Sequence, residues 1–349
     1  MDDSLLNRRF TLKGLAALGA LGGATLSASG QGTPAPLNDR ITNIGAHDPV
    51  IIRQGGTYHV FYTGRGIPML TSPDLVNWKA DERVFEANPA WIAREVPEAR
   101  DIWAPDISFR DGKYWLYYAV STFGSNLSAI GLATNTTLDR ASPNYRWEDQ
   151  GMVIKSEPVP PDTPNAYNCI DANYVMDAEG RSWLAFGSFW SGHKIFELDP
   201  KTGKALGGTP KVHHIAGRPV GDGGNFNRIE APFLIHRNGW YYQFVSYDSC
   251  CKGVDSSYYI VIGRSRSLLG PYVDSKGRKL TDGYGDVILM ADRAGKDRWR
   301  GPGHNGYLQN DNGRDYMVYH AYDAQDNGRS KLRIAPVVWS ASGWPRVIA

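Results

Sequence analysis

The sequence contains only three cysteines among 349 residues, namely Cys169 and the adjacent pair Cys250 and Cys251. So few cysteines exclude a disulfide-stabilised scaffold, and no spacing among them is typical of a zinc site. Neighbouring cysteines can form only a strained vicinal bridge. We therefore expect buried free thiols rather than a bridge.

The sequence also has neither an excess of charge nor a membrane-spanning stretch. The formal net charge is +2, which gives no reason to expect nucleic acid or an anionic membrane as a partner. The mildly apolar stretch from Gly14 to Leu26 is too short to cross a bilayer, because a spanning helix needs about 20 residues. Helical periodicity is almost absent, which favours an all-β fold.

The first residues have the layout of an export signal. Arg8 and Arg9 precede the apolar stretch and small residues follow it, in NRRFTLKGLAALGALGGATLSASG. The motif RRFTLK resembles a twin-arginine signal, although Thr11 stands where Phe is usual. We predict that residues 1–29 are a signal peptide cleaved near Ser29. The mature chain would be exported by the twin-arginine route to the periplasm or the medium.

Aromatic residues and glycines are abundant, with 11 Trp, 19 Tyr, 11 Phe and 39 Gly, a mixture that suits many short strands and turns. Five stretches share one pattern: a short polar start, an apolar strand, a glycine-containing turn and an aromatic strand. In the fourth, IEAPFLIHRNGWYYQFVS, Arg-Asn-Gly forms the turn of a predicted hairpin. The five stretches align at Asp48, Ala104, Asp171, Glu230 and His304.

The aligned positions are 56 to 74 residues apart, which is enough for one four-stranded sheet each. Further strand-like stretches fill the gaps: GIPMLTS, SAIGLATN, HKIFELD, YYIVIGRS and LRIAPVVW. These features predict an all-β, five-bladed β-propeller with four-stranded antiparallel blades. We expect residues 38–349 to form this single domain, with an ordinary β-sandwich as the alternative.

Three of the aligned positions carry carboxylates that would converge near the axis of a propeller: Asp48, Asp171 and Glu230. Two carboxyl groups on either side of a sugar linkage can hydrolyse it, one as general acid and the other as base or nucleophile. A third carboxylate near the acid raises the pKa of that acid by repulsion. Each carboxylate alone could simply cap a strand, but three at one position of a repeat favour catalysis.

Longer motifs point to a known family. They are HDP, WAPD, IDAN, FGSFWSG, IEAP, SYDSCCKG, GRSRSLLGPY and GHNG, in this order from about His47 to the C-terminus. Together they resemble the endo-1,5-α-L-arabinanases of glycoside hydrolase family 43. The resemblance implies an inverting enzyme with Asp48 as general base and Glu230 as general acid. It also implies that Asp171 raises the pKa of Glu230 and orients it. Ala172 departs from the family, in which Pro is usual after that Asp.

Three further polar residues have weaker assignments. His304, in GHNG, matches the family's histidine that faces the central channel near a bound metal ion, often calcium. A single His is a poor calcium site by ligand count, so water would have to complete the shell, and the alternative is a structural histidine. We expect no cofactor besides this calcium ion. Asp106 would support the site, and Arg264 could equally pack between strands of a blade.

Aromatic side chains near the predicted site are candidates for sugar contacts, because a flat ring offers an apolar face to the C–H groups of a sugar. Trp103 is the strongest of these candidates. Phe189 and Trp190 could equally belong to the core. Asn168 and Ser188 lie close by in sequence and could bind sugar hydroxyls.

The predicted substrate is linear arabinan, a neutral plant cell-wall polysaccharide, together with arabino-oligosaccharides, and we expect a monomer that cleaves internal α-1,5 linkages. The same chemistry would also serve an exo-arabinanase, an α-L-arabinofuranosidase or a β-xylosidase. A non-catalytic polysaccharide-binding propeller is the alternative from a different class. An open groove predicts endo action and a blocked pocket predicts exo action, and the loops VPEAR, KSEPVPPDTPNAYN and GRPVGDGGNFNR would decide between them.

Overall fold

Short antiparallel strands account for most of the structure. The computed structural model describes residues 37–219, 227–291 and 297–349. Within them the strands form five sheets of four strands each, and consecutive strands of the same sheet pair antiparallel. Two short helices, α1 (Leu37–Arg40) and α2 (Ala90–Glu95), precede the first and second sheets. None of the helices in these ranges is long and apolar enough to cross a membrane.

Each sheet is one blade, with its strands in chain order. The first blade contains β1 (Val50–Gln54), β2 (Thr57–Phe61), β3 (Met69–Ser72) and β4 (Lys79–Asp81). The second contains β5 (Trp103–Arg110), β6 (Lys113–Ser121), β7 (Ser128–Asn135) and β8 (Glu148–Ser156). The third contains β9 (Asn173–Met176), β10 (Ser182–Phe186), β11 (His193–Leu198) and β12 (His213–Ala216). The fourth contains β13 (Ile229–Arg237), β14 (Trp240–Tyr247), β15 (Tyr259–Ser265) and β16 (Asp286–Met290). The fifth contains β17 (Trp299–Asp311), β18 (Arg314–Asp323), β19 (Arg329–Trp339) and β20 (Pro345–Val347).

The turn between β13 and β14 illustrates why the sequence forms these hairpins. Arg237 pairs with Trp240, so that Asn238 and Gly239 form a two-residue loop with φ angles of 50° and 72°. Positive φ at both loop residues belongs to the type I′ turn, whose twist matches that of the flanking strands and which Asn-Gly favours. The predicted Arg-Asn-Gly hairpin is confirmed.

The second strand of a blade is buried along nearly its whole length. In β6, β14 and β18, all residues after the first are buried. Such strands read as continuous apolar and aromatic stretches because both faces of the sheet are covered. The covering layers are the neighbouring blades, since each pair of adjacent blades encloses its own hydrophobic cluster.

The innermost strands close the blades into a ring. Strand β1 contacts β5 and β17, β9 contacts β5 and β13, and β13 contacts β17. The segment before β1 also joins the last blade: Ile334 N–H donates to Asn38 Oδ1 at 2.8 Å, and Asn38 Nδ2 donates to the Tyr319 hydroxyl at 3.1 Å. The predicted five-bladed β-propeller is therefore confirmed, and the β-sandwich alternative is wrong.

Candidate active site

A left-handed backbone corner occurs at the start of the inner part of every blade. The corner residues are Asp48, Ala104, Asp171, Ala231 and His304, with φ angles of 48°, 44°, 59°, 55° and 47°. Residues other than glycine rarely adopt such angles, so five equivalent instances mark a built feature of the repeat. The predicted alignment placed Glu230 in this set, and that was wrong by one residue, because the corner in the fourth blade is Ala231.

Glu230 instead occupies the position just before the corner. Trp103 has the same place before Ala104, and both side chains line one cavity of about 280 Å³. Successive side chains of an extended strand point to opposite faces, so a shift of one residue changes the surroundings of a side chain. The sequence repeat hides this difference, because IEAP and HDP both carry an acid at the start of a strand.

Asp48 lies among donors. Its Oδ1 is 3.1 Å from Nδ1 of His304 and 3.5 Å from Nε2 of His47, and its Oδ2 accepts a hydrogen bond of 2.6 Å from the Thr63 hydroxyl. Burial alone would raise the pKa of Asp48, but the nearby His304 and His47 outweigh it and hold that pKa well below its usual range. Asp48 is therefore ionised at neutral pH.

His304 is the charged partner of Asp48. Burial would lower the pKa of His304, but its ion pair with Asp48 raises that pKa to about 9. His320, which also approaches Asp48, behaves differently: burial holds its pKa well below the usual value, and its Nδ1 accepts the Asp48 backbone N–H at 3.1 Å. The charged His304 thus holds the Asp48 carboxylate, and the neutral His320 holds the Asp48 backbone N–H.

Glu230 has the opposite electrostatic character. Burial, followed by repulsion from Asp171, raises the pKa of Glu230 to about 7, although hydrogen bonds from Tyr258 and Ser188 act against this. The Ser188 hydroxyl donates to Oε1 of Glu230 at 2.9 Å. A carboxyl group with this pKa keeps much of its proton near neutral pH.

Asp171 is attached to the backbone beside Glu230. Its Oδ2 accepts the Ala231 N–H at 3.0 Å, so the left-handed corner that follows Glu230 faces the Asp171 carboxyl group. Burial raises the pKa of Asp171 to about 6, and the charge of Asp48 adds to that effect. Asp171 therefore interacts electrostatically with both of the other predicted carboxylates.

Tyr258 reaches Glu230 because Gly303 leaves room for its ring. A Cβ atom on Gly303 would lie 2.0 Å from Cδ1 of Tyr258, so a larger residue there would displace the ring. Tyr258 is almost fully buried, and its hydroxyl interacts with the charges of Glu230, Asp171 and Asp48. Sequence reasoning missed Tyr258, because nothing in SSYYI distinguishes it from the neighbouring tyrosine.

The cavity beside Glu230 gathers all the predicted sugar-contacting residues. Its lining includes Trp103, Asn168, Ser188, Phe189 and Trp190. Phe123 also lines it and was missed by sequence reasoning, although an aromatic residue within the polar segment STFGSN was a usable signal. Phe123 is 83% exposed, which leaves its ring free to meet a ligand.

Two predicted polar contacts are engaged within the protein. Asn168 Oδ1 accepts a hydrogen bond of 2.6 Å from the Ser128 hydroxyl, and the Ser188 hydroxyl serves Glu230. Trp190 Nε1 donates to the Val159 carbonyl at 3.2 Å, which leaves the indole ring as its contact surface. The aromatic faces are therefore the freer part of the cavity wall.

Asp106 and Arg264 lie away from this cavity wall. Asp106 is buried, accepts the Tyr174 N–H at 2.7 Å, and has its pKa raised to about 7 by burial. The Arg264 guanidinium lies 4.3 Å from the Trp240 ring and 4.4 Å from the Trp344 ring. The packing role for Arg264 is thus the one that the structure supports.

The residues around His304 decide how the predicted calcium ion could be held. In the part of the chain that the structure describes, the histidine-carboxylate group that could hold a metal is His47, Asp48 and His320. His304 is not in that group, and its Nδ1 is engaged with Asp48. Calcium prefers six to eight oxygen ligands. The protein groups at His304 therefore supply too few oxygen ligands to hold calcium by themselves, so water would have to complete the shell, and no catalytic step is assigned to a metal.

The expectation of free thiols was wrong for the adjacent cysteines. Cys250 and Cys251 form a vicinal disulfide bridge, whereas Cys169 is free and buried as expected. The bridge lies in a sharply turned loop, in which Asp248, Cys251 and Gly253 all have positive φ angles. This backbone brings the two sulfurs together. The loop GRPVGDGGNFNR, which was predicted to shape the cleft, falls largely outside the described residues.

Comparison with known proteins agrees with this arrangement. Residues 40–345 match the sequence pattern of the family described as "Glycosyl hydrolases family 43". The chain belongs to this family. It is a glycoside hydrolase, and the resemblance found in its motifs is confirmed.

Relatives of this family 43 chain include both exo- and endo-acting proteins. The extracellular exo-α-(1→5)-L-arabinofuranosidase ArbA of Cellvibrio japonicus is 41% identical over 310 residues, which cover 87% of this chain and 86% of the relative. The extracellular endo-α-(1→5)-L-arabinanase 1 of Bacillus subtilis is 43% identical over 304 residues, 86% of each chain. The solved structure of Cellvibrio cellulosa α-L-arabinanase complexed with arabinohexaose has a TM-score of 0.80 and 40% identity, and the match covers 88% of this chain and 96% of that one.

Proposed function

We propose that the protein hydrolyses internal α-1,5-linked L-arabinofuranosyl bonds of arabinan, with Asp48 as general base, Glu230 as general acid and Asp171 as modulator of the Glu230 pKa. The opposite displacement of two carboxyl pKa values carries the proposal: the pKa of Asp48 is held well below its usual range, and the pKa of Glu230 is raised to about 7. Groups whose pKa values are pushed apart in this way are suited to base and acid roles.

The proposed reaction is a single displacement. Asp48 accepts a proton from a water molecule, whose oxygen forms the new bond to the anomeric carbon. Glu230 donates its proton to the oxygen of the leaving sugar as the glycosidic bond breaks. The attack comes from the face opposite the leaving group, so configuration inverts. The Ser188 hydroxyl, at 2.9 Å from Oε1, orients the Glu230 carboxyl group.

Exo action is the second candidate, because the relatives of both kinds match with nearly the same identity, 41% and 43%. The predicted cleft loops do not separate the two, since one of them is largely outside the described residues. Product analysis on debranched arabinan distinguishes them. A ladder of arabino-oligosaccharides supports endo action, and release of monomer or one short oligosaccharide alone moves the proposal to exo action.

Glu230→Ala and Asp48→Ala test the two roles on two substrates, one whose leaving group needs a proton and one whose leaving group does not. On debranched arabinan, both variants should lose roughly 10²–10⁴-fold in turnover, the usual contribution of acid-base catalysis. On a dinitrophenyl arabinobioside, Glu230→Ala should keep most of its activity, because this leaving group departs without a proton. Asp48→Ala should remain inactive on both substrates. Recovery by Asp48→Ala instead of Glu230→Ala would reverse the roles, and retained binding without hydrolysis by the unmodified protein would overturn the enzymatic proposal.

Export, a bound metal ion and the oligomeric state complete the proposal. The word "extracellular" in the names of both relatives supports export of this chain. The predicted signal peptide, residues 1–29, lies outside the described residues, and the twin-arginine route rests on the motif alone. A calcium ion with water ligands near His304 and a monomeric state remain predictions from the resemblance.

A further inference from the structure

The vicinal bridge lies between the two halves of the candidate site. Cys250 is half-buried and lines the same cavity as Glu230 and Trp103. Cys251 is exposed, and its Sγ is 3.7 Å from Nε2 of His47. One side of the bridge thus faces the predicted acid, and the other contacts the residue next to the predicted base.

Cys251 is held to the group of rings around the predicted base. Its backbone N–H donates to the Tyr322 hydroxyl at 2.8 Å, and the Tyr322 ring meets the His320 ring edge-on at a centroid distance of 5.2 Å. His47 stacks on His320 at 4.1 Å, with its Nε2 3.5 Å from Asp48 Oδ1. The position of the bridge and that of the Asp48 carboxylate are therefore connected through direct contacts.

Sulfur chemistry suits both contacts. A disulfide has no strong hydrogen-bonding group, and its polarisable surface packs well against apolar C–H groups. Four aromatic residues line the same cavity beside polar ones, namely Trp103, Phe123, Phe189 and Trp190. A bridged Cys250 adds to this apolar part of the wall, whereas a free thiol would add rotational freedom. Closing the ring between adjacent residues also removes the independent rotation of the Cys251 side chain beside His47.

We propose that the Cys250–Cys251 bridge is a positioning element of this active site: Cys250 completes the wall that meets the sugar, and Cys251 keeps His47 against Asp48. The inference rests on the proposed function, because it assumes a sugar in this cavity. Opening the bridge would loosen both contacts while leaving the blades unchanged, since the bridge lies in a loop that follows β14.

Reduction of the native protein with a water-soluble phosphine tests the inference. The S–S bond breaks, two S–H bonds form, and the phosphine is oxidised to its oxide with an oxygen from water. Thiol titration of the folded protein should rise from zero to two accessible thiols, because Cys169 is buried. After removal of the phosphine, kcat on arabino-oligosaccharides should fall about tenfold, as expected for a small displacement near the reacting groups. The KM should rise several-fold, and reoxidation should restore both values.

The double variant Cys250→Ser/Cys251→Ser is the matched control. It should reproduce the kcat and KM of the reduced protein and should not respond to the phosphine, with a melting temperature close to that of the unmodified chain. If the bridge resists the phosphine, the comparison of this variant with the unmodified chain decides the question alone.

Three outcomes would overturn the inference. Unchanged kcat and KM after two thiols appear, or in the double variant, would show that the bridge does not position the site. A loss of activity that only follows a loss of folded protein would make the bridge merely structural. An oxidised chain that neither hydrolyses nor binds arabino-oligosaccharides would remove the proposed function, and the inference would fall with it.

Discussion

At the level of individual residues, the candidate site depends on partners that are distant in sequence. Motif reasoning found Asp48, Asp171 and Glu230, because acids at the start of apolar strands are conspicuous. It did not find Thr63 or Tyr258, since a hydroxyl becomes a positioning group only when the fold brings it to a carboxylate. Ser188 was found, but for a different task.

The Asp171→Asn variant should narrow the pH range of activity from its alkaline side. As the proposed general acid, Glu230 has to keep its proton, so kcat/KM of the unmodified enzyme should fall as pH rises through about 7. Removing the negative charge of Asp171 lowers the pKa of Glu230, and the alkaline limb should move to lower pH. The pH profile of kcat/KM is measured on debranched arabinan between about pH 4 and about pH 9. This range includes the ordinary pKa values of carboxyl and imidazole groups. An unchanged or higher alkaline limb would contradict the role of Asp171 as modulator.

At the level of secondary structure, the sequence predicted the inner and third strands well and the outer strands poorly. SAIGLATN corresponds to β7 and YYIVIGRS to β15, because both are buried on two faces and read as continuous apolar stretches. The outer strands β4 and β20 have only three residues each, Lys-Ala-Asp and Pro-Arg-Val; β4 is largely exposed, and β20 has one buried and one exposed residue. Such short segments have no hydrophobic pattern that sequence analysis could detect. They are strands only because they pair with the third strand of the blade.

The left-handed corners also explain why the alignment predicted from the sequence misplaced Glu230 by one residue. Backbone φ angles leave no clear trace in residue type when the corner residue is Asp, Ala or His. Asp48 and Asp171 use the corner to carry a carboxylate, whereas Ala231 uses it to turn its N–H towards Asp171. A common backbone shape therefore supports unlike side chains around the axis.

Ala104 offers a test of the corner itself. Its φ angle is 44°, and its N–H donates to the Thr63 hydroxyl at 2.8 Å. A β-branched side chain is strained at such an angle, so Ala104→Val should lower the free energy of unfolding by about 1–3 kcal/mol. Ala104→Gly, which tolerates positive φ, should stay within about 1 kcal/mol of the unmodified chain. Urea unfolding at matched m-values measures both, and equal stability of the two variants would contradict a strained corner.

At the level of the whole molecule, the hydrophobic core consists of five clusters, each between two adjacent blades. Closure of the ring of blades keeps all five clusters buried. Repeat length and aromatic hairpins were enough to predict this architecture from the sequence. The closure was not predictable, because the segment before β1 has no strand pattern. Asn38 is nevertheless buried there and bonds with both of its amide atoms.

Asn38→Ala should destabilise the propeller although Asn38 is not one of the residues of the candidate site. The substitution leaves the buried Ile334 N–H without its partner, at a cost of about 1–3 kcal/mol for an unsatisfied buried group, and removes one of the two side-chain hydrogen bonds of the Tyr319 hydroxyl. Asp39→Ala, at the exposed neighbouring position, should change stability by no more than about 0.5 kcal/mol. Denaturant midpoints of the two variants give the comparison. A loss no larger for Asn38→Ala than for Asp39→Ala would mean that this segment does not hold the ring closed.

The contacts of Asn38 also impose an order on synthesis. Its two partners lie 281 and 296 residues further along the chain, so the ring cannot close until the last blade has been made. Until then the first and fourth blades each have an apolar side with no neighbour, and transiently exposed surfaces of this kind promote aggregation. Local hairpins can form early, while closure waits for a slow, long-range step. Translation that stops before the last blade would therefore leave an open, aggregation-prone set of blades and not a smaller active enzyme.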